Sequence, residues 1–220
     1  MIDQTLYKLI ARGDLSGTPP AEPMELLAAW YEEARRSKKY DDFNAMSLAT
    51  STPDGLPSVR IVLCKSIDIA EGAVTFYTNY LSRKGREIDS NPRAAGAFHW
   101  PHAKRQVRIE GFVERVSAAE SEAYFNSRPL LSRIGACVSP QSAPIGSMRD
   151  IVEAALALST SAALGRPIQR PPHWGGYRIR LRSVELWSGR TGRLHQRVVW
   201  KRAAPGGGSE TAWTWERLAP

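Results

Sequence analysis

The feature that most constrains the fold is a series of short segments with the alternating hydrophobic period of β-strands. The pattern changes from a helical period to a strand period after Asp41-Asp42. Segments 45–51 and 58–65 flank Pro53-Asp54-Gly55, a turn typical of hairpins. Further strands are predicted at residues 73–79, 94–100, 106–116, 177–187, 193–201 and 212–218. Many short strands at close spacing predict a mainly β, largely antiparallel protein, most naturally closed as a barrel.

Peripheral helices are predicted between these strands. Pro23 opens an amphipathic helix, and Ser82 is a candidate N-cap for a short helix over residues 83–90 that stops at Asn91-Pro92. Ser117 and Glu120 form a capping-box pattern, which predicts a third helix. A fourth is predicted over residues 147–163. The apolar face of the first helix consists of Leu26, Leu27, Trp30, Tyr31 and Ala34.

The chain length of 220 residues predicts one domain over residues 23–220. Residues 1–22 are weakly patterned and predict a flexible N-terminal arm or lid, and residues 205–208 predict a flexible hairpin loop. Cys64 and Cys137 have apolar neighbours, so we expect buried free thiols. The chain shows neither a signal-peptide pattern nor an apolar run of membrane-span length, and we expect a soluble cytoplasmic protein.

The charge balance favours an anionic ligand. The chain has 30 Lys+Arg against 22 Asp+Glu, a net charge of +8, and the basic residues are spread over many segments. This distribution favours pockets for small anions over a nucleic-acid surface, because neither an aromatic stacking platform nor a groove-reading helix is evident. No metal site is expected, since the close pair His99 and His102 lacks a third ligand nearby.

Arg193, His195 and Arg197 occupy alternate positions near the C-terminus, shortly after Trp187. In an extended strand such residues point to the same side. Two guanidiniums and an imidazole on one face would be costly unless they met an anion. The pattern therefore predicts a site for a phosphorylated or electron-rich ligand.

Three other segments are candidate anion sites, each with a simpler alternative. Ser82-Arg83-Lys84 begins a helix, as a phosphate site requires, or is only a capped surface helix. Arg60 and Lys65 would face opposite sides of a regular strand, so they share a site only if the strand twists or bulges, or if one of them acts at the strand end. Otherwise they are edge charges that extend into water. The third segment places Tyr124, Arg128 and Ser132 at helical spacing, although Pro129 interrupts the helix.

Taken in order along the chain, these segments resemble the pyridoxine/pyridoxamine 5'-phosphate oxidase family, FMN enzymes with a split β-barrel. The resemblance runs from about Pro23 to Pro220. The matching segments are residues 60–65, 76–79, 82–84, 105–107, 124–129, 139–142, 174–177 and 187–197.

The resemblance implies roles for the charged residues and a homodimer with both flavins at the subunit interface. The FMN-binding residues would be Arg60, Ile61, Val62, Leu63, Cys64, Lys65, Tyr77, Thr78, Ser82, Arg83, Lys84, Gln106, Gln141, Ser142, Trp187 and Arg197. The substrate-binding residues would be Lys65, Tyr124, Arg128, Ser132, Arg193 and His195. Of these, Arg193 and His195 would be catalytic, beside the pyridine ring. The C-terminal strands would contribute to dimerisation and to the active site.

The reaction implied by the resemblance is oxidation of pyridoxine 5'-phosphate or pyridoxamine 5'-phosphate to pyridoxal 5'-phosphate, with O2 as acceptor and H2O2 as a product. One alternative is a related flavin oxidase that acts on another compound, such as a phenazine precursor. Another is a non-catalytic protein that binds FMN or pyridoxal phosphate.

Three positions depart from the family pattern. Gln196 stands where an acidic residue is usual, and Leu186 and Ser188 flank Trp187 where an aromatic residue and a glutamine are common. The family's N-terminal Arg-x-x-Tyr has only Tyr7 as a loose counterpart. The arginine and tyrosine of this motif matter more for closure over the substrate than for flavin binding.

Overall fold

The computed structural model describes residues 15–202 and 212–220, and these contain eight strands and five helices. The helices are α1 (Met24–Arg36), α2 (Arg83–Ser90), α3 (Ala118–Ser127), α4 (Leu130–Val138) and α5 (Met148–Ala163). The strands are β1 (Ala45–Ser51), β2 (Pro57–Asp68), β3 (Ala73–Asn79), β4 (Arg93–Trp100), β5 (Arg105–Arg115), β6 (Trp174–Ser188), β7 (Gln196–Arg202) and β8 (Trp213–Leu218).

Six of the strands close into a barrel. The sheet order is β3-β2-β1-β4-β5-β6, and β3 also pairs with β6, so this part of the sheet has no free edge. The first half of the long strand β6 pairs with β3, and its second half pairs with β7, which continues to β8. All of these pairings are antiparallel. The structure therefore confirms the prediction of a mainly β barrel with peripheral helices.

The barrel interior is filled by alternate side chains of the strands. In β1, Met46 and Leu48 are fully buried while their neighbours are half-buried, the pattern expected of a strand with one face on a core. The helix α1 covers the barrel through Leu27 and Trp30, and Tyr31 donates a hydrogen bond to the Cys64 carbonyl at 3.0 Å. Burial of these apolar surfaces is the main force that stabilises the fold.

Short-range signals predicted several boundaries correctly. The strands β1 and β3 and the helix α2 begin and end at the predicted residues. The N-caps are also confirmed, since Ser82 accepts a hydrogen bond from the Gly85 amide and Ser117 accepts one from the Glu120 amide. Helix α4 was not predicted, because Pro129 looked like an interruption. In the structure, Pro129 is the N-cap of α4, which begins directly after α3 ends.

The predicted strand over 193–201 is wrong at its start. β7 begins at Gln196, and residues Thr191–Arg193 form a 3-10 turn. Arg193 has a φ of 61°, in the left-handed region, because the connection between two paired strands must reverse the chain there. Arg193 and His195 therefore do not share a strand face with Arg197 by simple alternation.

The N-terminal arm is anchored wherever the structure describes it. Leu15 is buried, and the Arg217 guanidinium donates to the carbonyls of Leu15 and Gly17, each at 2.6 Å. Trp200 Nε1 donates to the Pro20 carbonyl at 2.9 Å. The lid candidate Tyr7 and the predicted loop at 205–208 lie outside the described residues.

Other predictions concern the thiols, membrane spans and metal sites. Cys64 is buried as predicted, but the prediction is wrong for Cys137, which is only half-buried. Within residues 15–202 and 212–220, no helix combines the length and apolar character needed to span a bilayer. The same residues contain no group of three or more His, Cys, Asp or Glu side chains arranged to hold a metal ion.

A buried carboxylate ties α2 to the barrel. Glu87 has a side chain that is 4% exposed and forms salt bridges to Arg60 at 3.2 Å and to Arg83 at 2.8 Å. It also accepts hydrogen bonds from Ser58, at 2.6 Å, and from Thr50. Burial by itself would raise the pKa of Glu87, but the four donors outweigh it and lower the pKa to about 2.

We expect Glu87→Gln to alter the acid stability of the protein. Because the pKa of Glu87 is lower in the folded state, its contribution is present above about pH 4.5 and is lost as the pH falls towards 2. The variant should lose about 1–3 kcal/mol at pH 7 and show a shallower decline below pH 4.5, measured by denaturant titration. Glu216→Gln is the control, because its ion pair with Lys201 is exposed and should contribute less than about 1 kcal/mol. Parallel pH curves for Glu87→Gln and wild type would contradict the assignment.

A second prediction concerns the bulge in β6. The register between β5 and β6 shifts between Glu110 and Gly111, where a Cβ on Gly111 would lie 2.1 Å from the Arg180 carbonyl oxygen. Gly111→Ala should therefore destabilise the protein by about 1–3 kcal/mol or more, because backbone must move. Gly135→Ala is the matched control in α4, where nothing lies within 4 Å, and it should stabilise by up to about 1 kcal/mol. Thermal unfolding of both variants measures the difference, and equal melting temperatures would contradict it.

Candidate functional site

A cavity of about 570 Å³ lies where β2, β3 and the start of β6 meet α3 and α4. Among the residues that the structure describes, its lining contains three cationic side chains and no carboxylate. The lining residues are Ile61, Val62, Leu63, Lys65, Tyr77, Thr78, Asn79, Lys84, Tyr124, Arg128, Pro129, Ser132, Gly135, Ala136, Ser139, Gln141 and Trp174. Such a cavity favours an anion, because its positive charge has no counter-charge in the wall.

The cations of the cavity differ from the arginines that are paired with carboxylates. Within the described residues, Lys65, Lys84 and Arg128 form no salt bridge, whereas arginines such as Arg60 and Arg197 are paired with carboxylates. Arg128 is half-buried, and its Nη1 atom is buried without a hydrogen-bond partner. Burial lowers the pKa of Arg128, although the group stays charged at neutral pH. An anionic ligand would supply the missing acceptor.

Lys84 lies in the first turn of α2 and is held by neutral oxygens. Its Nζ donates to Thr78 Oγ1 at 3.0 Å, to Ser82 Oγ at 3.1 Å and to Gln141 Oε1 at 3.1 Å. Burial, followed by the nearby charge of Arg60, lowers the pKa of Lys84 to about 8. The ammonium group is therefore fixed in position without being neutralised.

The substrate-phosphate set predicted from sequence comes together here. Lys65, Tyr124, Arg128 and Ser132 all line the cavity. Arg128 is the C-cap of α3 and Ser132 lies in the first turn of α4, so the break at Pro129 brings them to one corner. Tyr124, Arg128 and Ser132 line one cavity, as predicted, but they belong to two helices, α3 and α4, and not to one.

Aromatic rings form one wall of the cavity. Tyr77 and Tyr124 are stacked with centroids 3.8 Å apart, and Trp174 is nearly parallel to both, at 5.6 Å and 6.2 Å. The Arg128 guanidinium lies over the Trp174 ring at 4.5 Å. Sequence reasoning assigned Trp174 no role, although it belongs to a segment that resembles the family. The signal that was missed is its position beside two glycines at the start of a strand.

One face of β2 presents apolar side chains to the cavity. Ile61 and Leu63 are 62% and 37% exposed, and Val59 on the same face is 70% exposed. Cys64 points into the core instead, and its Sγ donates to the Ser66 carbonyl. The side chain of Cys64 is therefore not available to a ligand, and only its backbone could contribute.

Several predicted FMN residues surround the cavity without lining it. Arg60 and Arg83 are both held by Glu87, and Ser82 is buried as the N-cap of α2. The register of β2 against β3 shifts between Cys64 and Ser66, but Arg60 does not line the cavity that Lys65 lines. Ser142 is exposed, with a left-handed φ of 68°, next to Gln141.

The remaining predicted residues form a second group. Trp187 pairs with Gln106 across β5 and β6, and its ring centroid lies 4.6 Å from that of His195. The Arg190 amide donates to His195 Nδ1 at 3.1 Å. Arg197 donates to the buried Glu185 at 3.0 Å and to the Ala219 carbonyl at 3.0 Å. Arg193 is exposed on its 3-10 turn.

The two groups lie at opposite ends of β6. Tyr77 is opposite Gly176, and Trp187 follows eleven residues later along the same strand. An extended strand of that length spans up to about 35 Å. The Trp187 group therefore lies away from the cavity of its own chain, and none of its residues lines that cavity.

Family models match most of the chain. Residues 32–159 match a model described as "Pyridoxamine 5'-phosphate oxidase", and residues 174–220 match "Pyridoxine 5'-phosphate oxidase C-terminal dimerisation region". A pyridoxine/pyridoxamine 5'-phosphate oxidase from Rubrobacter xylanophilus is 48% identical over 90% of this chain and 87% of its own. One from Azorhizobium caulinodans is 47% identical over 92% of both chains.

Solved structures agree with this assignment. PhzG from Burkholderia lata, solved with tetrahydrophenazine-1-carboxylic acid, has a TM-score of 0.83 at 30% identity, covering 92% of this chain and 94% of its own. A pyridoxamine 5'-phosphate oxidase-related, FMN binding protein from Nostoc punctiforme has a TM-score of 0.71 at 18% identity, covering 93% of this chain and 100% of its own, which shows the fold. On the strength of both family models and of relatives matched along nine-tenths of the sequence, the chain belongs to the pyridoxine/pyridoxamine 5'-phosphate oxidase family.

Proposed function

We propose that this protein uses FMN to oxidise pyridoxine 5'-phosphate or pyridoxamine 5'-phosphate to pyridoxal 5'-phosphate, with O2 as acceptor and H2O2 as a product. The observation that carries the proposal is the carboxylate-free cavity with three unpaired cations. Two phosphates, one from FMN and one from the substrate, would supply the counter-charge. An uncharged substrate would leave Arg128 buried without an acceptor, which is unfavourable.

The residues present fit FMN. Lys84, Thr78 and Gln141 form a hydrogen-bonded polar cluster. Arg60 and Arg83 both form salt bridges with Glu87. The exposed apolar face of β2 at Ile61 and Leu63 suits a flat ring. When bound, FMN would accept two electrons from the substrate carbon and pass them to O2, so the chain supplies binding, orientation and charge.

We infer a homodimer in which each active site uses both subunits. The chain has a C-terminal dimerisation region, and Trp187, His195 and Arg197 within it lie far from the cavity of their own chain. A second copy could bring its Arg193 and His195 to this cavity. Because His195 Nδ1 accepts from the Arg190 amide, the neutral ring carries its proton on Nε2 and can donate it to a ligand.

The departure at Gln196 does not weaken the proposal. The Gln196 side-chain oxygen accepts a hydrogen bond from the Leu15 amide at 3.3 Å, so the residue helps to anchor the N-terminal segment. The glutamine at position 196 therefore contacts the N-terminal segment and not a phosphate site.

A second candidate is oxidation of a reduced phenazine precursor, favoured by the similarity to PhzG. Such a substrate carries a carboxylate and no phosphate. The presence of all four residues of the phosphate set, Lys65, Tyr124, Arg128 and Ser132, supports the phosphorylated pyridine instead. A third candidate is a non-catalytic FMN or pyridoxal phosphate binding protein, which would bind but not turn over.

Flavin reduction distinguishes the three candidates. We expect purified protein to be yellow, pyridoxine 5'-phosphate to bleach it without oxygen, and readmitted oxygen to restore the colour with about one H2O2 per flavin. Pyridoxine, which lacks the phosphate, is the matched control and should bleach it far more slowly. Bleaching by a dihydrophenazine carboxylate but not by either vitamin B6 phosphate would favour the second candidate. A yellow protein that none of them reduces would favour the third.

The lowered pKa of Lys84 predicts a pH-dependent affinity for FMN. The ammonium group deprotonates above about pH 8, and it then no longer attracts the phosphate. We expect the dissociation constant of FMN to rise by up to about tenfold per pH unit from pH 8 to pH 9.5. Lys84→Met should bind FMN more weakly and lose this dependence, and the exposed Lys39→Met should behave as wild type. Flavin fluorescence titrations measure these constants, and an unchanged slope in Lys84→Met would contradict the role of Lys84.

A further inference from the structure

Trp174 contacts residues of both predicted binding sets. Its side chain is buried at the start of β6, with the ring nearly parallel to Tyr77 of the FMN set and Tyr124 of the substrate set. Arg128 of the substrate set lies over its face at 4.5 Å. An edge contact with Phe125 at 5.3 Å fixes the indole against the small core beneath α3 and α4.

The way in which Arg128 is held differs from that of the ion-paired arginines. Glu87 holds Arg60, and Glu185 holds Arg197. A carboxylate beside Arg128 would orient it but would also cancel the charge that a phosphate needs. An aromatic face attracts a guanidinium and restricts its rotation while leaving its N–H groups and its net charge available.

We propose that Trp174 is a positioning residue for the substrate phosphate, which acts by holding the Arg128 guanidinium on its ring. This inference rests on the proposed function, because it takes Arg128 to be a phosphate ligand. It assigns a role to a residue outside the predicted binding sets. The indole belongs to β6 and Arg128 is the C-cap of α3, so the contact links the barrel to the helix that carries the guanidinium.

The test is a double-mutant cycle between positions 174 and 128. Trp174→Leu removes the aromatic face and should raise the KM for pyridoxine 5'-phosphate by about 5- to 30-fold, with kcat within about twofold. In an Arg128→Ala background the same change should alter KM by less than about twofold, because the partner of the ring is gone. Inhibition by inorganic phosphate should weaken in parallel with KM.

A milder variant and a matched control separate positioning from folding. Trp174→Phe keeps a smaller ring, so we expect about a two- to fourfold rise in KM, again absent in the Arg128→Ala background. Trp213→Leu is the control, because Arg202 lies over Trp213 at 4.4 Å on β8, away from the cavity. That variant should leave KM and inhibition by phosphate unchanged. Flavin content and melting temperature confirm that each variant is folded.

The outcomes distinguish this inference from the proposed function. If wild type turns over pyridoxine 5'-phosphate but both Trp174 variants keep its KM, only the role of Trp174 is refuted. Equal increases in KM with and without Arg128 would also refute it, since the ring would then act independently of the guanidinium. If wild type neither oxidises nor binds a vitamin B6 phosphate, the proposed function is refuted and this inference with it.

Discussion

The pairing of β3 with β6 is the constraint on which the site depends. It closes the barrel, and it places Tyr77 opposite Gly176 and Asn79 opposite Trp174. Gly176 lets the Tyr77 ring pack against the strand, because a Cβ at Gly176 would lie 2.8 Å from that ring. The aromatic wall of the cavity therefore lies where β3 and β6 pair to close the barrel. The backbone hydrogen bonds between β3 and β6 hold the aromatic and cationic side chains of the wall in position without a ligand.

The described residues hold cationic side chains in two different ways. Arg60, Arg83 and Arg197 are held by the buried carboxylates Glu87 and Glu185, so their charge is partly neutralised. Lys84 and Arg128 are held by neutral oxygens and by an aromatic ring. The first arrangement stabilises the fold, since a buried carboxylate with several donors is well satisfied. The second leaves positive charge for a ligand.

The length of β6 separates two groups of predicted site residues. One end of the strand belongs to the barrel and the cavity, and the other carries Trp187 and pairs with β7. In the proposed homodimer, the Trp187 group would serve the cavity of the second subunit, because the extended strand carries it away from the cavity of its own chain. The C-terminal dimerisation region of the family agrees with this geometry. Oligomerisation and active-site assembly would then be one event.

The amino-acid sequence by itself determined the local elements and the list of candidate residues. Boundaries such as those of β1 and α2, and caps such as Ser82, follow from periodicity and hydrogen bonds within a few residues. The resemblance identified the family and predicted both binding sets. The tertiary structure alone decided which candidates meet, because that depends on strand pairing between distant segments. In the tertiary structure, the Arg128 guanidinium lies over the Trp174 ring, and Arg60 forms a salt bridge with Glu87. Arg193 lies in a 3-10 turn outside the predicted strand, and the Trp187 group lies away from the cavity.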